Sequence, residues 1–397
     1  MTEAGNDRQP SGSPGIHRPV LLEAPGSIDD LPPQRLNLKL GATVGTERRF
    51  GGHGAPATGT GLHGTSVLSF SRIAGFPACS ITDGAGARLE SPLSEKRRSL
   101  REAIAEQVHD GDAIALGLAL ESGIPFAAVH EIIRQQRRDL TLIGPISDMA
   151  FDQMIAAGAV AKVIAAWVGN VAGGSGYGFR RAYEKGEPRR IVMEDHSNFT
   201  VGLALKAAAM GLPYLPTFTG LGGDIVRGHP RIRPIDDPFG GPNLLAVGAL
   251  RPDVAIIHAQ RADAHGNAHL WGNLGLTVEA AYAARRTIVT CEELVPDAVI
   301  RSDPNRTLIP GFLVSAVVEE PGGALPSSVQ GYWRRDFEPF LAYHRTSRTP
   351  EGFQAWLREW VLDLPDRPAY LQHMGEAALA RLRVTDRRPA AEANFAP

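Results

Sequence analysis

The sequence predicts an α/β fold: an open, largely parallel sheet with helices on both faces, in a single domain. Two observations carry this. From about Ser94 onward, strand-like and helix-like segments alternate, as crossover-connected parallel strands require. The later strand segments DVAIIHAQRA, TIVTCEEL and FLVSAVVEE are short, β-branched and apolar without polar alternation, which suits strands covered on both faces.

SEKRRSLREAIAEQVHDG sets Leu100, Ile104 and Val108 at four-residue spacing, so a helix is expected between Ser94 and a stop at Gly111. DAIALGLAL then reads as a buried strand. PFAAVHEIIRQQRRDL puts Pro125 in a first turn and Phe126, Val129, Ile132 and Ile133 on one apolar face. DLTLIGP is the next strand, followed by DMAFDQMIAAG as helix, AKVIAAWVG as strand, NFTVGLALKAAAMG as helix and LPYLPTFT as strand. In TPEGFQAWLREWVLDL, Thr349 caps, Pro350 opens the first turn, and Phe353, Trp356, Leu357, Trp360 and Val361 form a helical stripe. That stripe is expected to pack on the chain's own sheet.

The chain has 397 residues, and the folded part is expected to span 93–383. Residues 1–90 hold 15 Gly and 8 Pro with no sustained period, so 1–92 reads as a low-complexity, disordered extension or as upstream sequence; 384–397 reads as a loose tail. Formal net charge is −2, which supplies no global field for nucleic acid or an anionic membrane. The two cysteines, Cys79 and Cys291, cannot frame a disulfide scaffold, no secretory leader is visible, and a cytoplasmic location is expected.

Several chemical templates fail. AVHEIIR places Arg134 where the second zinc histidine of H-E-x-x-H belongs, and GGSGYGF places Tyr177 where G-x-S-x-G needs glycine. His258, Asp263, His265 and His269 crowd one stretch but lack a recognised ligand spacing, so no metal is expected there. That stretch reads better as a turn at DAHGN between two strands, holding His258 or Gln260 at a sheet rim. VMEDHSNF offers Glu194 as a general base, against a plainer reading in which Asp195 or Ser197 caps the next helix. Cys291, followed by two carboxylates, reads as a buried strand cysteine rather than a nucleophile. GGSGYGF is either a loop whose bare amides approach an oxyanion or a simple connector.

Taken in order, GDAIALG, PFAAVHEIIRQ, DLTLIG, VMEDHS, AAAMGLPYLP, DVAIIHAQRADAHGNAHLWG, TIVTCEEL, RSDPNRTLIPG and EWVLDL resemble the α subunit of glutaconate CoA-transferase, a class I CoA-transferase, from about Ser94 to Leu382. The resemblance implies an α subunit that works only with a β subunit, in an α2β2 assembly, on acyl-CoA and carboxylic acid substrates, with no permanently bound cofactor. It implies a ping-pong mechanism through a glutamyl-CoA thioester on a glutamate of the β subunit, so no catalytic residue is expected in this chain. Asn170, Ser175, Gly176, Arg180, Arg181 and Gln260 are then the expected substrate-binding residues. Val171 and Phe179 stand where the glutaconate enzymes carry serine, and LESGIP lacks their basic residues, which points toward a less polar acyl group. Two other readings go with the same scaffold: a hydrolase that opens a carbon–carbon bond of a cyclic CoA thioester, with Glu194 as its catalytic carboxylate, and a non-catalytic CoA-binding subunit.

Overall fold

The computed structural model describes residues 95–385, so the expectations for 1–92, for a cap at Ser94 and for most of 384–397 lie outside the described residues. Within them, seven parallel strands form the backbone of the fold: β1 (Ala113–Ala115), β2 (Leu140–Ile143), β3 (Val160–Ala165), β4 (Val192–Asp195), β5 (Val254–Ala262), β6 (Arg286–Leu294) and β7 (Ala316–Glu319). They pair in the order β7-β6-β5-β1-β2-β3-β4. Ala268–His269 and Thr307–Ile309 extend the sheet antiparallel beyond the end of β5, making nine strands.

The helices are α1 (Leu100–Gln107), α2 (Phe126–Arg134), α3 (Met149–Ala156), α4 (Asn198–Ala209), α5 (Phe337–Thr346), α6 (Pro350–Leu357) and α7 (Arg367–Met374). Because side chains alternate across a strand, successive residues of each strand enter different cores. Ile114, Leu142, Val163, Ile256 and Ile288 join one cluster with α1, α2, α3, α5 and α6. Ala115, Ile143, Ile164, Ile257 and Val289 join another with α4 and the short helix Thr277–Ala283. Both faces of the sheet are covered, which is why its strands read as unbroken apolar runs rather than alternating ones.

Local expectations fare unevenly. The cap of α1 is Ser99, whose hydroxyl accepts from the Glu102 amide while the Glu102 carboxylate accepts from the Ser99 amide. Pro125 occupies the cap position of α2 instead of its first turn, and Thr349 caps α6 as expected by accepting from the Gly352 amide. Trp356 packs into the chain's own core, with Trp360 partly buried against it. LPYLPTFT departs from the parallel sheet: Tyr214–Thr217 pairs antiparallel with Leu244–Gly248, which also pairs with Ile232–Ile235. FLVSAVVEE is strand only from Ala316, after a 3-10 turn at Gly311–Leu313. Past Leu382 the chain remains attached, since the Val384 amide donates to the Tyr332 carbonyl.

Among the described residues, no helix is long and apolar enough to cross a membrane.

Candidate functional site at the switch point of the sheet

The chain builds β1 to β4 outward on one side of β1, then returns to lay β5 to β7 on the other. The loops leaving β1 and β5 therefore diverge, and open α/β sheets place ligands in the crevice this creates at the carboxyl ends of the strands. A small pocket lies there, lined by Gly117, Leu118, Ser122, His258, Gln260 and Trp271 among others.

The rim is cross-tied and strained. Gly117, two residues past β1, holds φ +64, and a Cβ there would stand 2.6 Å from that of Ser147, so the position needs glycine twice over. Ser147 Oγ donates to the Leu116 carbonyl at 3.0 Å. The next residue, Asp148, holds φ +48 and ψ −142, and Leu120 sits at φ +65. Positive φ at non-glycine residues persists only where surroundings enforce it, and such residues gather at functional sites. Here the enforcement comes from Arg335, whose Nη2 donates to Asp148 Oδ2 at 2.5 Å while Nη1 reaches the Glu121 carbonyl at 3.3 Å. Asp148 Oδ1 accepts from the Val171 amide at 3.1 Å. Burial pushes the Asp148 carboxyl up despite the arginine. Asp148 thus ties the loop after β2 to the one after β3 and to Arg335, 187 positions away, while Ser147 and Arg335 tie in the segment after β1.

On the β5 side, His258 bridges Thr290 Oγ1 at 2.8 Å and Glu292 Oε1 at 2.9 Å. Glu292 Oε2 accepts from the Gly322 amide and from Trp333 Nε1 at 2.9 and 2.8 Å. Burial drives this carboxyl up, but the bonds from His258, Gly322 and Trp333 outweigh it and hold it below its ordinary value. Thr290, His258 and Glu292 are all buried, so the chain of bonds fixes the register of β5 on β6.

The residues expected to bind substrate separate into two groups. Asn170 is buried: its amide donates to the Phe340 carbonyl and its oxygen accepts from the amides of Ala172 and Gly173 at 3.0 and 3.1 Å. Arg181 Nη1 donates to the carbonyls of Ser347 and Arg348. Gln260 lines the pocket but spends its side chain on Trp271, donating to its carbonyl at 2.9 Å. These three position backbone.

Gly176 and Gly178 lie against Asp152, where a Cβ would come within 2.3 and 3.0 Å of Oδ1, and the Phe179 amide donates to the same oxygen at 2.6 Å. The glycine-rich stretch is thus a hairpin of Gly169–Asn170 and Gly174–Ser175 running into a helical turn at Tyr177–Arg180. Several of its amides have partners inside the chain. Of the residues expected to bind substrate, Ser175 and Arg180 are the exposed ones; Arg180 pairs with Glu184 at 3.2 Å.

Glu194, at the end of β4, is held by Lys162 at 2.6 Å, Arg231 at 2.8 Å and His196 at 3.2 Å. Burial would raise its pKa, yet the bonds from His196, Arg231 and Lys162 outweigh burial and hold the carboxyl far below its ordinary value. A carboxylate so stabilised is a poor proton acceptor. Glu194, His196 and His229 come close enough to share an ion. However, both nitrogens of His229 are engaged, Nε2 with the Asp195 carbonyl and Nδ1 accepting from the Arg231 amide, so an ion would have to displace one of these bonds. Ser197, not Asp195, caps α4, accepting from the Thr200 amide.

The histidine-rich stretch does not gather: His269 bonds the Ile300 carbonyl, while Asp263 organises the turn through the amides of His265 and Asn267. Cys291 is fully buried, and burial, followed by Glu319 and Glu292, pushes its thiol far up. Sequence reading missed Asp148 and Arg335. The only local signal was Gly144-Pro145 after an apolar strand, which marks a turn without revealing its partner.

Comparison with known proteins agrees with this geometry. Residues 97–320 match the family described as coenzyme A transferase. The chain is 41% identical over 268 residues to the A chain of the 3-oxoadipate CoA-transferase of Pseudomonas knackmussii, covering 68% of this chain and 94% of that one. It is 39% identical over 308 residues to the corresponding chain of the glutaconate CoA-transferase of Acidaminococcus fermentans, covering 73% and 95%. The crystal structure of glutaconate coenzyme A-transferase from the same organism superposes with a TM-score of 0.68, over 73% of this chain and 96% of that one. An open parallel sheet with its switch point between β1 and β5, together with these matches, makes this chain a member of the class I CoA-transferases, in their α-subunit family.

Proposed function

We propose that this chain is the α subunit of a heteromeric acyl-CoA:carboxylate CoA-transferase and that the reacting glutamate belongs to its β subunit. The observation that carries the proposal is the state of the carboxylates around the switch point. Asp148 is held by Arg335 and the Val171 amide, and Glu292 by His258, Trp333 and the Gly322 amide. A carboxylate nucleophile must be exposed to the thioester and free to form an acyl bond. These two are neither, whereas the strained loops beside them form a crevice rim onto which a second chain could bring one.

In this reading the β-subunit glutamate attacks the thioester carbonyl, CoA thiolate leaves, and a mixed anhydride forms. The thiolate then attacks the glutamyl carbonyl, releasing the first acid and leaving glutamyl-CoA. The acceptor carboxylate reverses the sequence, so no redox step and no metal are required. Ser175 and Arg180, exposed on the hairpin and helical turn next to Val171, are the side chains of this subunit we assign to substrate or partner contact. Gln260 and Asn170 act through the backbone they hold. A cytoplasmic location and an α2β2 assembly belong to the same reading.

The test is to produce this chain together with its β subunit, then to treat the complex with acyl-CoA followed by borohydride. Loss of transfer with glutamyl-CoA trapped on the β chain is the expected result. Trapping on this chain, or transfer by this chain alone, would overturn the assignment. Unchanged turnover and KM after Ser175→Ala and Arg180→Ala would remove those two residues from it.

A further inference from the structure

A CoA-transferase tells one acyl group from another by what stands beside the reacting carbonyl. On the transferase reading above, on which this inference rests, that surface is the rim between the loops after β1 and β3. Three apolar side chains reach solvent there: Val171 is 44% exposed, Phe337 is 57% exposed, and Leu120, held at φ +65, is half-buried. One arginine brings them together. The Val171 amide donates to Asp148 Oδ1, Arg335 Nη2 donates to Asp148 Oδ2, and the Arg335 guanidinium carbon lies 5.1 Å from the centre of the Phe337 ring. Leu120 precedes Glu121, whose carbonyl and carboxylate both meet Arg335 Nη1, at 3.3 and 3.4 Å.

The charges of this group discriminate between ligands. A distal carboxylate on the acyl group needs a free cation, and Arg335, which sits among the three apolar residues, already faces two carboxylates of its own chain, Asp148 and Glu121. Its side chain is only 8% exposed, and its Nε is buried without a partner among the described residues, so little of it reaches solvent. The Glu121 side chain, by contrast, is 42% exposed. A second carboxylate arriving here would meet an arginine already neutralised and an exposed like charge, which disfavours its ionised form. Arg180, the exposed arginine that follows the hairpin, is itself paired with Glu184. An apolar chain meets no such cost and gains by covering Val171 and Phe337.

We propose that this rim selects the acyl groups of aliphatic monocarboxylic acids, with Val171 and Phe337 lying against the acyl chain and Glu121 disfavouring the dicarboxylic analogues. The three residues come from three separate segments: Glu121 from the loop after β1, Val171 from the hairpin loop after β3, and Phe337 from the first turn of α5. Asp148 and Arg335 hold them in one place, so the closed ion pair sets the geometry while the exposed side chains set the preference.

The experiment uses the complex of the full-length chain with its β subunit, acetate as common acceptor, and valeryl-CoA and glutaryl-CoA as donors, which have equal carbon number and differ by a terminal methyl against a carboxylate. kcat/KM is expected to be about tenfold or more higher for valeryl-CoA, and to rise about fourfold per methylene from propionyl-CoA to valeryl-CoA. Phe337→Arg, at an exposed position, should narrow the preference about tenfold by raising kcat/KM for glutaryl-CoA, Glu121→Gln should narrow it less, and Val171→Ala should lower kcat/KM for valeryl-CoA more than for propionyl-CoA. Equal or better use of glutaryl-CoA, or a preference unmoved by Phe337→Arg and Glu121→Gln, would overturn the inference and leave the transferase reading standing. So would selective loss of the glutaryl-CoA reaction in Arg180→Ala, or dissociation of the complex by Phe337→Arg on gel filtration, which would mean that the β subunit covers this face. Transfer from neither thioester would instead sink the transferase reading; calorimetric binding of the two thioesters to the same complex then reads the preference, and equal affinity overturns it.

Discussion

The ends of β6 and β7 hold their carboxyl groups in opposite ways: hydrogen bonds keep Glu292 below its ordinary pKa, and burial lifts Glu320 above it. At the switch point, Asp148, Arg335, His258 and Glu292 spend their polar atoms mainly on one another or on backbone. At the end of β7, Glu320 is driven toward neutrality by burial, while each site leaves one arginine nitrogen, Arg335 Nε and Arg367 Nη1, without a partner among the described residues. A closed network fixes geometry, since each member loses its partner if the backbone shifts. Such a network suits a rim that must present loops to a second subunit.

The largest effect that would break this contrast is expected from Arg335→Met. It strands the buried Asp148 carboxylate and releases the ends of β1 and β2 together, so a loss of about 3–5 kcal/mol is expected by urea unfolding at pH 7. Adding Asp148→Asn should recover part of it, because the remaining group is neutral. A loss under about 1 kcal/mol in the single variant would show that the strain at Asp148 is held by something other than this pair.

Glu320, directly after β7, should respond with the opposite sign. The folded-state pKa of Glu320 is raised from 4.5 to about 7, so the native state binds a proton that the unfolded chain releases between those values. Its ionised form therefore destabilises the fold increasingly as pH rises from 4.5 to about 7, and fully above. Glu320→Gln is expected to leave stability unchanged at pH 4 and to raise it by up to about 3 kcal/mol at pH 8. Removing a charge from one site thus stabilises, while removing one from the other unfolds.

Glu194 sharpens the contrast from a third strand end. Its carboxyl is held far below 4.5 in the fold, so its stabilisation is complete above the unfolded value and is lost as pH falls beneath it. Glu194→Gln should cost about 2 kcal/mol at pH 7, with the difference from wild type shrinking below pH 4. Under transferase chemistry the variant should keep its turnover once folded. Abolished ring opening of a cyclic CoA thioester would instead return the hydrolase reading.

How much of this was legible in the sequence follows from range. The parallel strands were readable because burial on both faces writes itself into three to nine consecutive residues, as in Val254–Ala262. The caps at Thr349 and Ser197 were readable because capping is local. The antiparallel excursion was not: LPYLPTFT reads locally as one more strand of the alternation, its pairing with Leu244–Gly248 is set at a distance, and Pro234 argues against strand at Ile232–Ile235. The pairings that define both sites span long separations. His258 meets Glu292 only through the register of β5 on β6, and Asp148 meets Arg335 only after the whole sheet is built. For the same reason the glycine-rich stretch suggested open amides, when the carboxylate that occupies the Phe179 amide, Asp152, comes from a separate helix.

The smallest expected effect tests whether locality itself is a sound guide at these strand ends. Ser197 Oγ accepts from the Thr200 amide at 3.0 Å, and Thr200 Oγ1 in turn meets His196 Nδ1 at 3.0 Å, so the cap of α4 touches the network around Glu194. If the cap acts only on its own helix, Ser197→Ala costs about 1 kcal/mol, and the double variant with Glu194→Gln shows the sum of the two single losses. A coupling of about 0.5 kcal/mol or more in that cycle would mean that cap and carboxylate form one unit. The end of β4 would then belong with the switch point, where local and distant contacts cannot be separated.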